Sequence, residues 1–175
     1  MPLFSFEGKV PRIHPTAFIA PTATLVGDVI VEERASVWYG AVLRGDFNQV
    51  VVRAGANIQD NSVLHTTPVA RLEVGPGATV GHSCVVHSAT LGEECLIANG
   101  ATVLDGAKIG ARAMVGAGAV VTPNMEVPPG MLAVGVPAKV MRALAGTPAE
   151  FWIRYNPEGY QALAQRHKAG VTPVS

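Results

Sequence analysis

Aliphatic residues return every six positions along most of this chain: Ile13, Ile19, Leu25, Val31, Val37 and Leu43, then Val52, Ile58 and Leu64, then Val74, Val80 and Val86, and finally Leu91, Ile97, Val103, Ile109, Val115 and Val121. Four places after most of these anchors stands a small or short residue, from Ala17 and Ala23 through Ser62, Cys84 and Cys95 to Ala113 and Ala119. An amphipathic helix repeats every 3.6 residues and a half-buried strand every 2, so a period of six with two inward positions is neither as an isolated element. It predicts a coil of short strands, a triangular parallel β-helix in which each hexad is one side. The bulky anchor fills the interior, the small residue fits near the corner, and Gly serves at turns. Three hexads make one coil, and the anchors counted above predict about six coils. A sandwich rich in Val and Gly would alternate strictly and turn at Asn-Gly pairs. The one such pair, Asn99-Gly100, falls in the six-residue frame.

The frame slips after Leu64, where residues 70–73 read as a loop, and it is one residue short before Leu91. It stops near Thr147. There a capping Thr, Pro148 at the first helical position and Glu150 three residues after the cap predict a helix start. Asn156-Pro157 predicts a break or restart, Tyr160, Leu163 and Ala164 continue an apolar stripe, and Gly170 closes it. The chain thus divides into a β-helix domain over residues 1–146 and a helical segment over 147–170 that packs on the coil stack, followed by a loose tail.

Thirteen Lys and Arg balance thirteen Asp and Glu, and the basic residues form no run, so neither a nucleic-acid nor an anionic-membrane partner is expected. A small neutral ligand fits better. The first ten residues lack the order of a secretory signal, and no stretch approaches the roughly 20 apolar residues of a membrane span, so the chain reads as cytoplasmic. Cys84 and Cys95, in Val- and Ala-rich surroundings, read as free core thiols.

Three of the five histidines, His65, His82 and His87, fall within 23 residues in the middle of the repeats. His14 and His167 read as surface or hydrogen-bonded residues. His65 follows anchor Leu64 on the third side of one coil, and His87 follows Val86 on the third side of the next. Stacked at about 4.8 Å, two such imidazoles can share one ion at bonds of about 2.0–2.1 Å. His82 belongs to the preceding side, and five nearly extended residues place it up to about 16 Å from His87. A three-fold oligomer would bring a neighbour's His82 opposite the other two, giving three ligands and an open position, the catalytic rather than the structural zinc pattern.

The segments Arg44-Gly45-Asp46, Asn57-Ile58-Gln59-Asp60-Asn61, Leu64-His65, Val80-Gly81-His82 and Val86-His87 resemble, in order and spacing, the γ-class carbonic anhydrase family. The likeness continues through Leu104-Asp105-Gly106-Ala107 to Pro137-Ala138-Lys139 and covers nearly the whole chain. It implies an all-β solenoid, a left-handed parallel β-helix of hexapeptide repeats with a C-terminal α-helix, assembled as a homotrimer. It also implies zinc, or iron or cobalt, at each subunit interface, with His65 and His87 from one subunit and His82 from the next. By the same resemblance Arg44, Asp46 and Asp60 are catalytic-site residues, an interfacial ion-pair network that orients the trimer and helps bind bicarbonate; the alternative is a purely structural ion pair, which needs no catalytic role. Gln59 is the amide that hydrogen-bonds metal-bound solvent, and Asn57 is its polar partner. The implied reaction is hydration of CO2 to bicarbonate, zinc lowering the pKa of bound water to about 7.

The best-studied members place glutamates beside the Arg-Gly-Asp and in a loop after the first His; here Phe47 and Thr66-Thr67-Pro68 stand instead. Turnover well below the roughly 10⁶ per second of fast zinc-hydroxide enzymes is therefore expected. The Gly135-Val136-Pro137-Ala138-Lys139 segment also resembles hexapeptide-repeat acyltransferases and CoA-thioester hydrolases, and a metal-stapled trimeric binding module is a third reading.

Overall fold

A computed structural model of the chain describes residues 2–174, so Met1 and Ser175 lie outside the described residues. The anchors do stack. Ile58 lies in parallel register with Val37 and Val80, Leu64 with Leu43 and Val86, and Leu91 with Val74 and Ile109. Each of the large anchors Leu25, Leu43, Ile58, Leu64, Leu91 and Ile97 is buried, in a column that runs the length of the solenoid. Burying one such side chain is worth about 1.5–3 kcal/mol.

The second side carries seven parallel strands, from Phe18–Ile19 to Met131–Val134, so there are about seven coils rather than six. The column continues past Val121 through Val127 and Ala133, both buried, in hexads whose Pro128-Pro129 pair hides the period. Lys139–Ala143 then turns back antiparallel on Met131–Val134 and covers that edge of the stack. At the other end, Leu3–Phe4 pairs with Leu25 and Val26.

Not every corner turns sharply. Strands Thr24–Val31 and Val42–Val52 run unbroken from the third side to the first and join those two sides into one sheet. Where corners do turn, one residue adopts the left-handed region. Between the second and third sides these are Gly40, Asn61, Ser83, Gly100 and Gly118, with φ from +57° to +70°. Asn accepts this conformation readily, whereas Ser83 is held there by the stack. Gly110 is required for another reason: a Cβ there would lie 2.4 Å from the Pro129 nitrogen of the next coil.

The extra residues between Leu64 and Val74 do not bulge at 70–73. Leu72 is wholly buried in strand Leu72–Val74, and the loop is the preceding turn, closed by a bridge between Thr67 and Ala70. Ser88 Oγ accepts the Thr67 N–H at 2.6 Å and donates to the Ala70 carbonyl at 3.1 Å, pinning that turn to the coil above.

Helix α1, Pro148–Gly170, lies along the second side. Its 23 residues span about 34 Å at 1.5 Å per residue, enough to reach across seven strands at about 4.8 Å spacing. Ile153 packs near one end of the stack with Leu96 and Leu144. At the other end the His167 ring meets Trp38 at 4.9 Å and Phe18 at 5.8 Å, and Lys168 Nζ donates to the Pro15 carbonyl at 2.5 Å. The helix runs through Asn156-Pro157 without a break. Both residues are buried, and that packing offsets the hydrogen bond Pro157 cannot donate. The N-terminal cap also differs from the sequence pattern. The Thr147 hydroxyl donates to the Leu144 carbonyl at 2.7 Å, and the Glu150 carboxylate accepts the Gly146 N–H at 2.9 Å. No helix of the described residues is long and apolar enough to cross a membrane.

Cys84 and Cys95 are free and wholly buried, and burial pushes both thiols up, that of Cys95 to about 12. Thiolate is the reactive form. A maleimide probe should therefore label neither in the native protein on a timescale of minutes and both after unfolding; rapid native labelling of both would contradict this register.

Candidate functional site

Neighbouring side chains alternate along a strand, so the residue after each third-side anchor points out of the prism. Arg44, His65 and His87 hold that place in three successive coils, Arg44 in register with His65 and His65 with His87. The two imidazoles are 5.0 Å apart between centroids, and His65 Nδ1 lies 3.0 Å from His87 Nε2. Each ring is also held on another side by a carboxylate. His65 Nε2 is 2.9 Å from Asp46 Oδ1, and His87 Nδ1 is 2.5 Å from Asp105 Oδ1.

Asp46 pairs through its other oxygen with Arg44 and accepts the Phe47 N–H at 3.0 Å. Burial acts to raise its pKa, but the hydrogen bonds from Arg44 and His65, the Arg44 charge and the Phe47 amide outweigh this and hold it below the usual carboxylate value. Asp46 is thus an anion at neutral pH.

Two neutral imidazoles bring only two N–H groups to these three contacts. If each N–H is given to its carboxylate, two nitrogen lone pairs face each other across 3.0 Å. A cation between them, or a third proton, removes that conflict. The donor set fits a divalent ion such as zinc, which binds neutral imidazole nitrogens whose second N–H is given to a carboxylate.

The other predicted residues gather elsewhere. His82 and Asp60 occupy the vertex between the second and third sides, with His82 Nδ1 2.8 Å from Asp60 Oδ2. Asn57 and Gln59 lie on the second side and are buried, in the region α1 covers. Gln59 Nε2 donates to Asn57 Oδ1 at 3.0 Å, and Asn57 Nδ2 donates to Thr79 Oγ1 at 2.9 Å. Tyr160 of α1 reaches Gln59 as well; burial and the Asp60 charge raise the pKa of its hydroxyl against that hydrogen bond. One chain therefore carries two separate polar clusters at opposite edges of its third side, and among the described residues no group of three or more His, Cys, Asp or Glu could hold a metal.

Sequence reasoning placed Asp105 in the Leu104-Asp105-Gly106-Ala107 likeness and Tyr160 in the apolar stripe of the helix, and gave neither a role at the site. Asp105 had a usable signal, since it stands one 18-residue coil period after His87. Tyr160 had none, because its approach to Gln59 depends on the path of a helix a hundred residues later.

Comparison with known proteins places these features in context. The bacterial transferase hexapeptide (six repeats) family matches residues 88–123. A Geobacillus kaustophilus protein named carbonic anhydrase is 44% identical over 142 residues, 81% of this chain and 78% of its own length. Gamma carbonic anhydrase 1, mitochondrial, of Arabidopsis thaliana is 41% identical over 95% of this chain, which spans only 62% of that relative. Carnitine operon protein CaiE of Escherichia coli is 37% identical over 95% of this chain and 84% of its own. Among solved structures, a hexapeptide transferase family protein from Anaplasma phagocytophilum superposes with a TM-score of 0.89 at 38% identity, covering 94% of this chain and 96% of that one.

Proposed function

Since this chain belongs to the γ-carbonic-anhydrase-like family of hexapeptide-repeat proteins, we propose that it is a metal-dependent hydratase of CO2, working as a homotrimer with zinc, or iron or cobalt, at each subunit interface. The observation that carries this reading is the pair of histidine nitrogens 3.0 Å apart, each ring held by its own carboxylate. His65 and His87 would hold the ion from one subunit and His82 of the partner subunit would complete the set.

The third side favours such an assembly. Its outward Val63 and Val85 are 38% and 39% exposed, beside the two histidines on the same strands. Three prisms arranged with third sides toward a common axis bring the His82 vertex of each against the His65 vertex of the next, a heterologous contact that closes on itself. The Arg44 guanidinium and the Asp60 carboxylate, both partly exposed, meet across that contact with opposite charge.

A bound divalent ion supplies a Lewis acid that makes water nucleophilic near neutral pH. The chain's own groups do the rest. Gln59, fixed by Asn57, offers an amide for orienting solvent or bicarbonate, and Arg44 offers a cation for the product anion. With Phe47 and the pinned Thr66-Thr67-Pro68 turn in place of acidic groups, proton export is slow and modest turnover is expected.

Metal analysis of the purified protein, its mass in solution and CO2 hydration with and without reductant test this reading together. A trimer of three 18.2 kDa chains with one ion per subunit and measurable hydration is expected. Gln59→Ala should lower hydration about 10–100-fold while leaving metal content and trimer intact. The relatives CaiE and the hexapeptide transferase favour a second reading, an acyltransferase or CoA-thioester hydrolase on the same fold; metal-loaded trimer without hydration in either redox state would move the assignment there.

A further inference from the structure

We propose that Asp105 is a positioning residue for the metal, fixing the tautomer and tilt of His87 so that Nε2 rather than Nδ1 is presented toward His65. This rests on the reading of His65 and His87 as ligands and adds to it a residue one coil away that touches no substrate.

The turn that carries Asp105 is rigid. Gly106 sits at φ +70°, the Ala107 N–H donates to the Leu104 carbonyl at 3.1 Å, and the Asp105 carbonyl accepts the Asn124 N–H from the next coil at 2.8 Å. The carboxylate is thereby aimed at the His87 ring, with Oδ1 2.5 Å from Nδ1. The nearest cation along the chain, Lys108, is engaged 2.8 Å from Glu126, and the His87 contact is the one side-chain hydrogen bond of Asp105 among the described residues.

A carboxylate accepts and does not donate, so the ring proton must reside on Nδ1 and the lone pair on Nε2. Asp46 imposes the mirror arrangement on His65, its Oδ1 on Nε2 leaving the Nδ1 lone pair free. The result is a row of four groups, carboxylate, imidazole, imidazole, carboxylate, whose two inner lone pairs converge. Asp46 has Arg44 as a second partner and a place in the expected interface. Asp105 has no second side-chain partner among the described residues, so trimer mass measured beside zinc affinity separates its effect on the metal from any effect on assembly.

Zinc affinity measured by competition with a chromogenic chelator on the intact trimer tests this. Asp105→Ala should weaken zinc binding about 10–100-fold, the usual cost of losing a carboxylate behind a ligating histidine. Asp105→Asn, whose amide oxygen still accepts the Nδ1–H but carries no charge, should fall between wild type and alanine. Trimer mass and the melting temperature of the metal-free protein should match wild type in both, which a merely structural role would not predict. If the alanine variant fails to fold, the asparagine variant decides on the same measure. Equal zinc affinity in wild type and variants overturns the role of Asp105 while leaving the site standing. A wild-type trimer that takes up no zinc overturns the reading of the ligands, and this proposal with it.

Discussion

Replacing His82 by alanine should leave far less than one metal ion per subunit and a weakened trimer, although His82 bonds neither His65 nor His87 within its own chain. Its partner there is Asp60 at 2.8 Å, on the opposite edge of the third side. Two protein ligands hold zinc much more weakly than three, and the ligand removed is the one given across the interface. His65→Ala and His87→Ala should lose metal equally. Co-expression supplies the sharper measurement: mixed trimers of His82→Ala and His65→Ala subunits contain contacts where an intact His65-His87 pair meets an intact His82, and those should regain metal. Full occupancy in His82→Ala trimers would place the whole site within one chain.

Leu64→Ala should cost about 2–5 kcal/mol, the range for emptying a fully buried leucine position. Leu64 has no exposed surface and lies between Leu43 below and Val86 above, so neither neighbour can collapse into the space without breaking register. For a domain of this size a loss of that order lowers the melting temperature by roughly 10 °C. Differential scanning fluorimetry would show it. Val63→Ala, one residue earlier and facing outward, should change the melting temperature of a dissociated chain little and weaken the trimer instead. Equal effects of the two substitutions would mean that the inside and outside of the third side have been exchanged.

The contrast between these neighbours shows why the solenoid was legible in the sequence. Inward and outward positions follow from a single period, so one correctly placed anchor fixes Leu64 inside and His65 outside, and the stacking of His65 on His87 comes with it. The seventh coil was hidden because Pro128-Pro129 and the antiparallel return at Lys139–Ala143 interrupt the pattern that earlier hexads keep. The loop was misplaced by a few residues because Leu72 looks like loop sequence until its burial is seen. Pro157 was read as a breaker because local propensity says so, while burial of Asn156 and Pro157 decides otherwise. At the site, ligand candidates were visible as residue types in register, but the carboxylates behind them were not equally so. Asp46 lay in a segment with a role attached, whereas Asp105 lay in a matched segment without one, and its place behind His87 becomes conspicuous only when the chain is folded at its 18-residue pitch.

The irregular steps in the repeat have a common address. From Leu43 to Val52, from Leu64 to Val74 and from Val86 to Leu91 the spacing departs from six, and every one of these steps turns the corner from the third side to the first. The other two edges keep their phase, like the graduated edges of a ruler whose third edge is left blank. Chain can be inserted or removed at the blank edge without changing the height at which His65, His82 and His87 stand along the prism axis. Chemistry there is therefore open to revision by transplanting loops, and an acidic segment grafted between Thr66 and Arg71 would reach the histidines without asking any coil to move.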